Sequence, residues 1–301
     1  MRFLYIQPSL VPPPTDPRAD RFYTLSQRNE IDVLQPVWLD RPEQVEEIFG
    51  PGSYPVYTVG NCRYHLFLAY RFQGLRQRFA IWWFYLRTAV RLHRERPLEC
   101  VVAYSHMASG VVGTLIKALT GARLIVEIVT TPALVAITER PNPTWLDRLK
   151  KRYSDLCLHI SVLSCDRVRL LFEGQLAPYR LLRHKPRSVF HEFSPVSMLR
   201  RGSQQQPQPV SPSDGNTKPY ILLLGAPWFL KGADLLIEAY RRLLPEFPDL
   251  ELKLLGYYPD RAGLDALAEG LPGVEILKAR PNPEAMEIMK RATIFALPTR
   301  C

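Results

Sequence analysis

Nowhere in these 301 residues is there a run of about 18 uncharged apolar residues, so no segment is predicted to cross a bilayer as a helix. The chain also lacks a charged-then-apolar leader. It enters directly into the strand-like RFLYIQ, which Pro8 ends, and this predicts no signal peptide. Cysteine is sparse: five residues (Cys62, Cys100, Cys157, Cys165 and Cys301) lie scattered, with no CxxC pair. That pattern argues against a disulfide framework or structural zinc and fits a reducing cytoplasm. No set of side chains stands at metal-ligand spacing, so neither a metal nor another cofactor is expected.

What is present is basic, and unevenly so. The formal net charge is +10, yet residues 218–301 hold 11 Lys/Arg and 11 Asp/Glu, which assigns the whole excess to residues 1–217. A basic first half points to an anionic partner there: a membrane surface, a phosphate-bearing substrate or nucleic acid. No nucleic-acid reading module accompanies the charge, and nucleic acid is not the expected partner.

The length suggests two domains, and 47% hydrophobic residues can fill two cores. The boundary is RRGSQQQPQPVSPSDGNT, residues 200–217, whose one larger apolar residue is Val210. Such a segment cannot bury itself and reads as a solvated linker between a domain over 1–199 and a second over 218–301. Both sides alternate apolar strand-length runs with helical periods, the pattern of βαβ units and a parallel sheet, hence an α/β fold. In the first domain the strand candidates are Phe3–Gln7, Ile31–Trp38, Glu99–Tyr104, Arg123–Val129, Leu158–Leu163 and Arg187–Phe190. Helical candidates are Ala80–Arg94, Met107–Thr120 (stopped by Gly121) and Trp145–Asp155. The Pro-rich loop after the first strand lies where doubly wound sheets bind ligands, or is a plain surface connection.

The chemistry concentrates in the second domain. Between the strand ILLL and a helix beginning near Ala233 runs Gly225-Ala-Pro-Trp-Phe-Leu-Lys231-Gly232. A helix N-terminus offers unpaired N–H groups and partial positive charge to phosphate, and Lys231 adds a full charge that can steady a departing diphosphate. A second strand, ELKLLG, ends in Gly256. The succession ILLLGAPWFLKG, LELKLLGYYPD, LPGVEIL and TIFALPTR resembles the donor-nucleotide domain of GT-B glycosyltransferases of family 4, the glycosyl transferases group 1 type. Over residues 1–200 the likeness is looser. The resemblance implies two Rossmann-like domains and transfer of a sugar from a nucleoside-diphosphate donor to a glycan or lipid-linked acceptor hydroxyl, with retention. It places Gly225, Ala226, Lys231, Gly232 and Gly256 at the donor, and Leu277 beside the base.

Three features depart from the family pattern. Ala226 stands where relatives usually carry a basic residue. The segment after Arg123–Val129 reads TTPALV where many relatives carry His-Gly, leaving His106 as the candidate catalytic side chain of the first domain; a strand-end His can equally be structural. The acidic E-x7-E motif that follows P-[ST]-R in relatives would lie beyond Cys301, so the second domain is expected to be incomplete and the chain a fragment. Without those carboxylates, a non-catalytic membrane-surface or partner-binding protein on the same fold is the alternative.

Residues 70–97 stand apart. Arg87, Arg91 and Arg94 share a helical face, and Phe79–Leu86 form an apolar-aromatic block. Arginine beside Trp and Tyr suits an anionic membrane surface, which would make the protein peripheral at the cytoplasmic leaflet. An ordinary Rossmann helix with a solvated Arg stripe would look the same.

Overall fold

The computed structural model describes residues 1–8, 13, 20–39, 41–52, 55–69, 74–130, 144–190, 218–258, 261–280 and 282–300. The linker expected at 200–217 and most of the Pro-rich first loop lie outside these. Two compact units emerge, one of Met1–Pro132 with Arg152–Gln206, the other of Ala133–Lys151 with Pro207–Cys301.

In the first unit the strands are β1 (Arg2–Ile6), β2 (Glu30–Trp38), β3 (Val56–Val59), β4 (Cys62–Ala69), β5 (Cys100–Tyr104), β6 (Arg123–Ile128), β7 (Arg167–Leu170) and β8 (Arg187–Val189). They form one sheet in the order β3-β4-β2-β1-β5-β6-β7-β8, with every neighbouring pair parallel except the β3–β4 hairpin. The helices are α1 (Arg21–Ser26), α2 (Gln44–Phe49), α3 (Gly74–Glu95), α4 (Ala108–Thr120) and, from Arg152 onward, α5 (Trp145–Ser164). Alternation along the strands divides the core between the two faces. Leu4, Ile6, Val101 and Ala103 pack against Tyr85, Ala89, Val112, Ile116, Leu158 and Val162 of α3, α4 and α5. Tyr5, Val33, Cys100 and Val102 pack on the other face with Phe22, Val45 and Phe49 of α1 and α2. This is a three-layer, doubly wound arrangement.

One expected strand is a helix. Leu158–Leu163 belongs to α5, which runs on to Ser164, and the strand follows it as β7. The buried side chains Ser154, Cys157, Leu158, Ser161 and Val162 recur at three- and four-residue spacing, while Ile160 and Leu163 face out. A short apolar run fits either periodicity, and here the helical one places the small and apolar residues on the sheet. The β3–β4 hairpin, α1 and α2 went unread in the sequence.

Asp32, fully buried in β2, anchors the middle of this sheet. It meets Arg2 of β1 at 3.1 Å and, on β4, Arg63 at 3.0 Å and His65 at 2.9 Å. Burial opposes its charge, but the hydrogen bonds from His65 and Arg63 outweigh it and hold the carboxyl below its ordinary pKa.

The second unit carries β9 (Tyr220–Leu224), β10 (Glu251–Gly256), β11 (Val274–Lys278) and β12 (Ile294–Phe295), all parallel in the order β11-β10-β9-β12. Its helices are α6 (Ala233–Leu243), α7 (Ala262–Ala268) and α8 (Asn282–Lys290). On α6 the buried residues Ala233, Leu236, Ile237 and Tyr240 follow the helical period and meet Ile221, Leu223, Leu252 and Leu254 of the sheet.

Candidate functional site

The second unit gathers most of the expected donor residues at the C-terminal ends of β9 and β10, where an open α/β sheet leaves room for a ligand. The Gly225 amide donates to the Leu255 carbonyl (3.0 Å), so the backbone of Gly225 turns across the end of β10. There it passes close to Gly256: a Cβ on Gly256 would lie 2.7 Å from the Gly225 carbonyl oxygen. Gly225 has φ +143°, and a Cβ on it would stand 3.3 Å from Cγ of Lys231. The lysine stem therefore lies over the glycine and carries its ammonium to this edge. Ala226 is exposed beside it.

The loop between is a compact turn. Lys231 N–H donates to Pro227 O (3.0 Å), Gly232 N–H to Phe229 O (3.1 Å) and Ala233 N–H to Trp228 O (3.0 Å), over a buried Trp228. Gly232, with φ +75°, is the N-cap of α6. Leu277 lies on the next strand opposite Leu255, its side chain joining the apolar group of Leu222, Leu255 and Ile288.

Pro298-Thr299-Arg300, the PTR of the family pattern, folds back onto this turn. The Pro298 carbonyl lies over Gly232, where a Cβ would approach it to 2.0 Å. Arg300 grips Asp234 of α6 with both guanidinium ends (2.8 and 2.5 Å), stacks over Phe229 at 4.0 Å, and donates its own N–H to Leu230 O at 2.9 Å. Asp234 is the acidic residue in the first turn of α6, and Arg300 neutralises it. Among the described residues no carboxylate lies within ion-pairing distance of Lys231. This edge of the second unit thus offers an uncommitted ammonium beside a helix N-terminus.

In the first unit, His106 follows β5 directly after Ser105, whose φ of 97° is unusual for a residue with a side chain. The His106 ring is fully buried, with Nε2 3.0 Å from Oγ of Ser154 on α5. This is the placement of the structural alternative for a strand-end His, with the ring packed between β5 and α5. The turn around it is fixed by Ser109, whose hydroxyl meets the Tyr104 carbonyl (2.8 Å). The sequence also gave no sign of Glu127, buried at the end of β6 and paired with Arg169 of β7 and with Arg21 (3.6 Å) of α1. Arg21 lies over the rings of Phe22 (4.5 Å) and Tyr104 (4.6 Å). Burial, with Glu127 nearby, pushes the Tyr5 hydroxyl up to about 12, so it stays protonated.

At the same C-terminal edge a hollow of about 370 Å³ opens between α3, the end of β2 and the start of α4. Pro8, Trp38, Trp82, Tyr85 and Met107 line it, with Arg78 among its polar groups. Among the described residues no group of His, Cys, Asp and Glu could hold a metal ion.

The model of the glycosyl transferases group 1 family matches residues 218–301, the segment that contains this turn and the PTR contact. No curated protein matches the chain in sequence. Among solved structures, a sucrose-phosphate synthase from Thermosynechococcus elongatus superposes with a TM-score of 0.62 at 13% identity, covering 99% of this chain and 75% of that one. An E. coli trehalose-6-phosphate protein bound with UDP-2-fluoro glucose gives 0.58 at 11% identity, covering 99% and 78%. The UDP-GlcNAc 2-epimerase from Methanocaldococcus jannaschii gives 0.51 at 10%, covering 98% and 78%. At these identities the structural likeness speaks for the fold alone. The two units have the α/β, parallel-sheet architecture of GT-B enzymes, and the group 1 glycosyltransferase signature lies in the second.

Proposed function

We propose that the chain serves transfer of a glycosyl group from a nucleoside-diphosphate sugar to an acceptor hydroxyl, with retention at the anomeric carbon. The observation that carries this reading is the coincidence of the group 1 family match with an unpaired Lys231 held over Gly225 at the N-terminus of α6. The diphosphate lies against the Gly225–Gly232 turn. Its charge is met by the Lys231 ammonium and by the partial positive charge at the N-terminus of α6, and Gly256 lets the Gly225 backbone turn across the end of β10. As the anomeric C–O bond breaks, negative charge grows on the leaving diphosphate, and a fixed ammonium stabilises that state more than the ground state. The base lies toward the end of β11, beside Leu277. A basic side chain takes the part that a cation plays elsewhere, so the reading needs no metal. Arg300 and Pro298 act through the turn by holding its shape.

On the acceptor side, the aromatic hollow bounded by Trp38, Trp82 and Tyr85 accepts the apolar or ring portion of a glycan or lipid-linked acceptor, with Arg78 available to an anionic group. His106 is left as a packing residue. Isothermal titration of the 301-residue chain with UDP, GDP and ADP tests the donor half. Binding of one of these, weakened by about 1.5–3 kcal/mol in Lys231→Ala, is expected. A dissociation constant unchanged by the substitution removes Lys231 from the site, and no binding of any nucleotide defeats the reading.

A further inference from the structure

Helices that cover a Rossmann sheet ordinarily turn polar faces outward. On the first unit, α3, α4 and α5 instead expose many apolar side chains among their polar ones. The outward positions of α4 are Leu115, Ala118 and Leu119, with Leu119 63% exposed. Next to it, α3 exposes Leu75, Phe79 (65%) and Trp83 (63%) along one stripe. On α5, Tyr153, Leu156 (59%), Ile160 and Leu163 are exposed at three- and four-residue spacing.

These surfaces adjoin. Trp83, Leu86 and Val90 of α3 share a hollow with Leu119 of α4. The end of α4 meets the end of α5, where the Lys117 ammonium donates to the Ser164 carbonyl at 3.0 Å. Large apolar side chains exposed together on three adjoining helices are more than the singly scattered ones that need no explanation on a monomer surface. Its border on α3 is basic: Arg87, Arg91 and Arg94 are exposed and line the same hollow, with Glu95 the acidic residue among them.

We infer that the outer face of α3, α4 and α5 docks on an anionic lipid bilayer. The apolar and aromatic side chains enter the headgroup boundary, Trp83 and Tyr153 being suited to it, while the arginines meet lipid phosphate. Charge argues for lipid against a second copy, since a pair of like faces would oppose the same arginines. The whole +10 excess of the sequence also belongs to residues 1–217, which contain this face. No helix among the described residues is long and apolar enough to cross a membrane, so the contact is a surface one. The expectation drawn from residues 70–97 is thereby enlarged: α3 supplies the charge, and α4 and α5 supply much of the apolar area. This inference does not rest on the glycosyltransferase reading, because a chain that binds no nucleotide would still dock.

The test is flotation of the 301-residue chain with vesicles of phosphatidylcholine alone or mixed with phosphatidylserine, at low and high salt. Binding to the mixed vesicles at low salt is expected. Arg87, Arg91 and Arg94 replaced together by Gln should weaken it on the order of a hundredfold, at about 1 kcal/mol per charge, and high salt should mimic that loss. Phe79, Trp83 and Leu119 replaced together by Ser should weaken it about tenfold or more while leaving the melting curve in place, since all three are exposed. Absence of binding, binding indifferent to both triple variants, or a self-association in the ultracentrifuge that the same Ser substitutions abolish would overturn the inference.

Discussion

Gly232→Ala isolates how the PTR segment holds the Gly225–Gly232 turn. Two costs combine. At φ +75° the alanine pays the left-handed backbone penalty of about 1–2 kcal/mol. Its Cβ would also sit 2.0 Å from the Pro298 oxygen and 2.9 Å from the Pro298 carbonyl carbon, backbone atoms that cannot rotate away. The segment must therefore retreat by about an ångström, loosening the 2.9 Å bond from Arg300 N–H to Leu230 O and the paired contacts of Arg300 with Asp234. Those groups are about one-quarter exposed, so the range for hydrogen bonds to charged groups is extended downward, to about 1–3 kcal/mol. The total is about 2–5 kcal/mol. Gly270→Ala is the matched control in the same unit, with φ +73° and nothing within 4 Å of the new Cβ, and should cost only the backbone part. Hydrogen exchange of the Ile221–Leu224 and Leu252–Leu255 amides reports the opening of this unit in each variant. Nucleotide titration should show a weakened site in Gly232→Ala alone. Equal losses of protection in the two variants would refute the claim that Pro298 closes over Gly232.

The buried carboxylate of β2 gives a pH prediction. Its folded pKa lies below the ordinary 3.8, so its stabilisation is present above about pH 4 and is lost as pH falls through the folded value. Asp32→Asn should cost about 3–5 kcal/mol at neutral pH, by leaving Arg2, Arg63 and His65 around an uncharged group, and should flatten the acid limb of the stability curve. An acid limb identical to the parent's would count against the network. For His106, the substitution His106→Gln should lower the melting temperature and spare turnover. Loss of turnover at unchanged stability would instead speak for the catalytic role.

Much of the architecture was written locally. Continuous apolar runs such as Tyr220–Leu224 and Cys100–Tyr104 belong in the middle of a parallel sheet whatever surrounds them. Gly225 and the Lys231-Gly232 helix start are legible because the physics they satisfy, backbone space and an unpaired helix terminus, acts within a few residues. Other features needed the tertiary structure. Leu158–Val162 carries enough apolar residues for strand or helix, and the choice fell to the helix that places Leu158 and Val162 together on the sheet. Asp32 finds Arg2 and Arg63 about thirty residues away in either direction, and Arg300 finds Asp234 across 66 residues, pairings that no local pattern announces. His106 had the right residue type at a strand end, and only the packing of α5 showed its ring turned inward on Ser154. The apolar outer face is of the same kind. Leu115, Leu119, Leu156 and Ile160 look like core residues in sequence, since an amphipathic helix with two apolar faces does not say which one the sheet will cover. The rotation of α4 and α5 against the strands decided that.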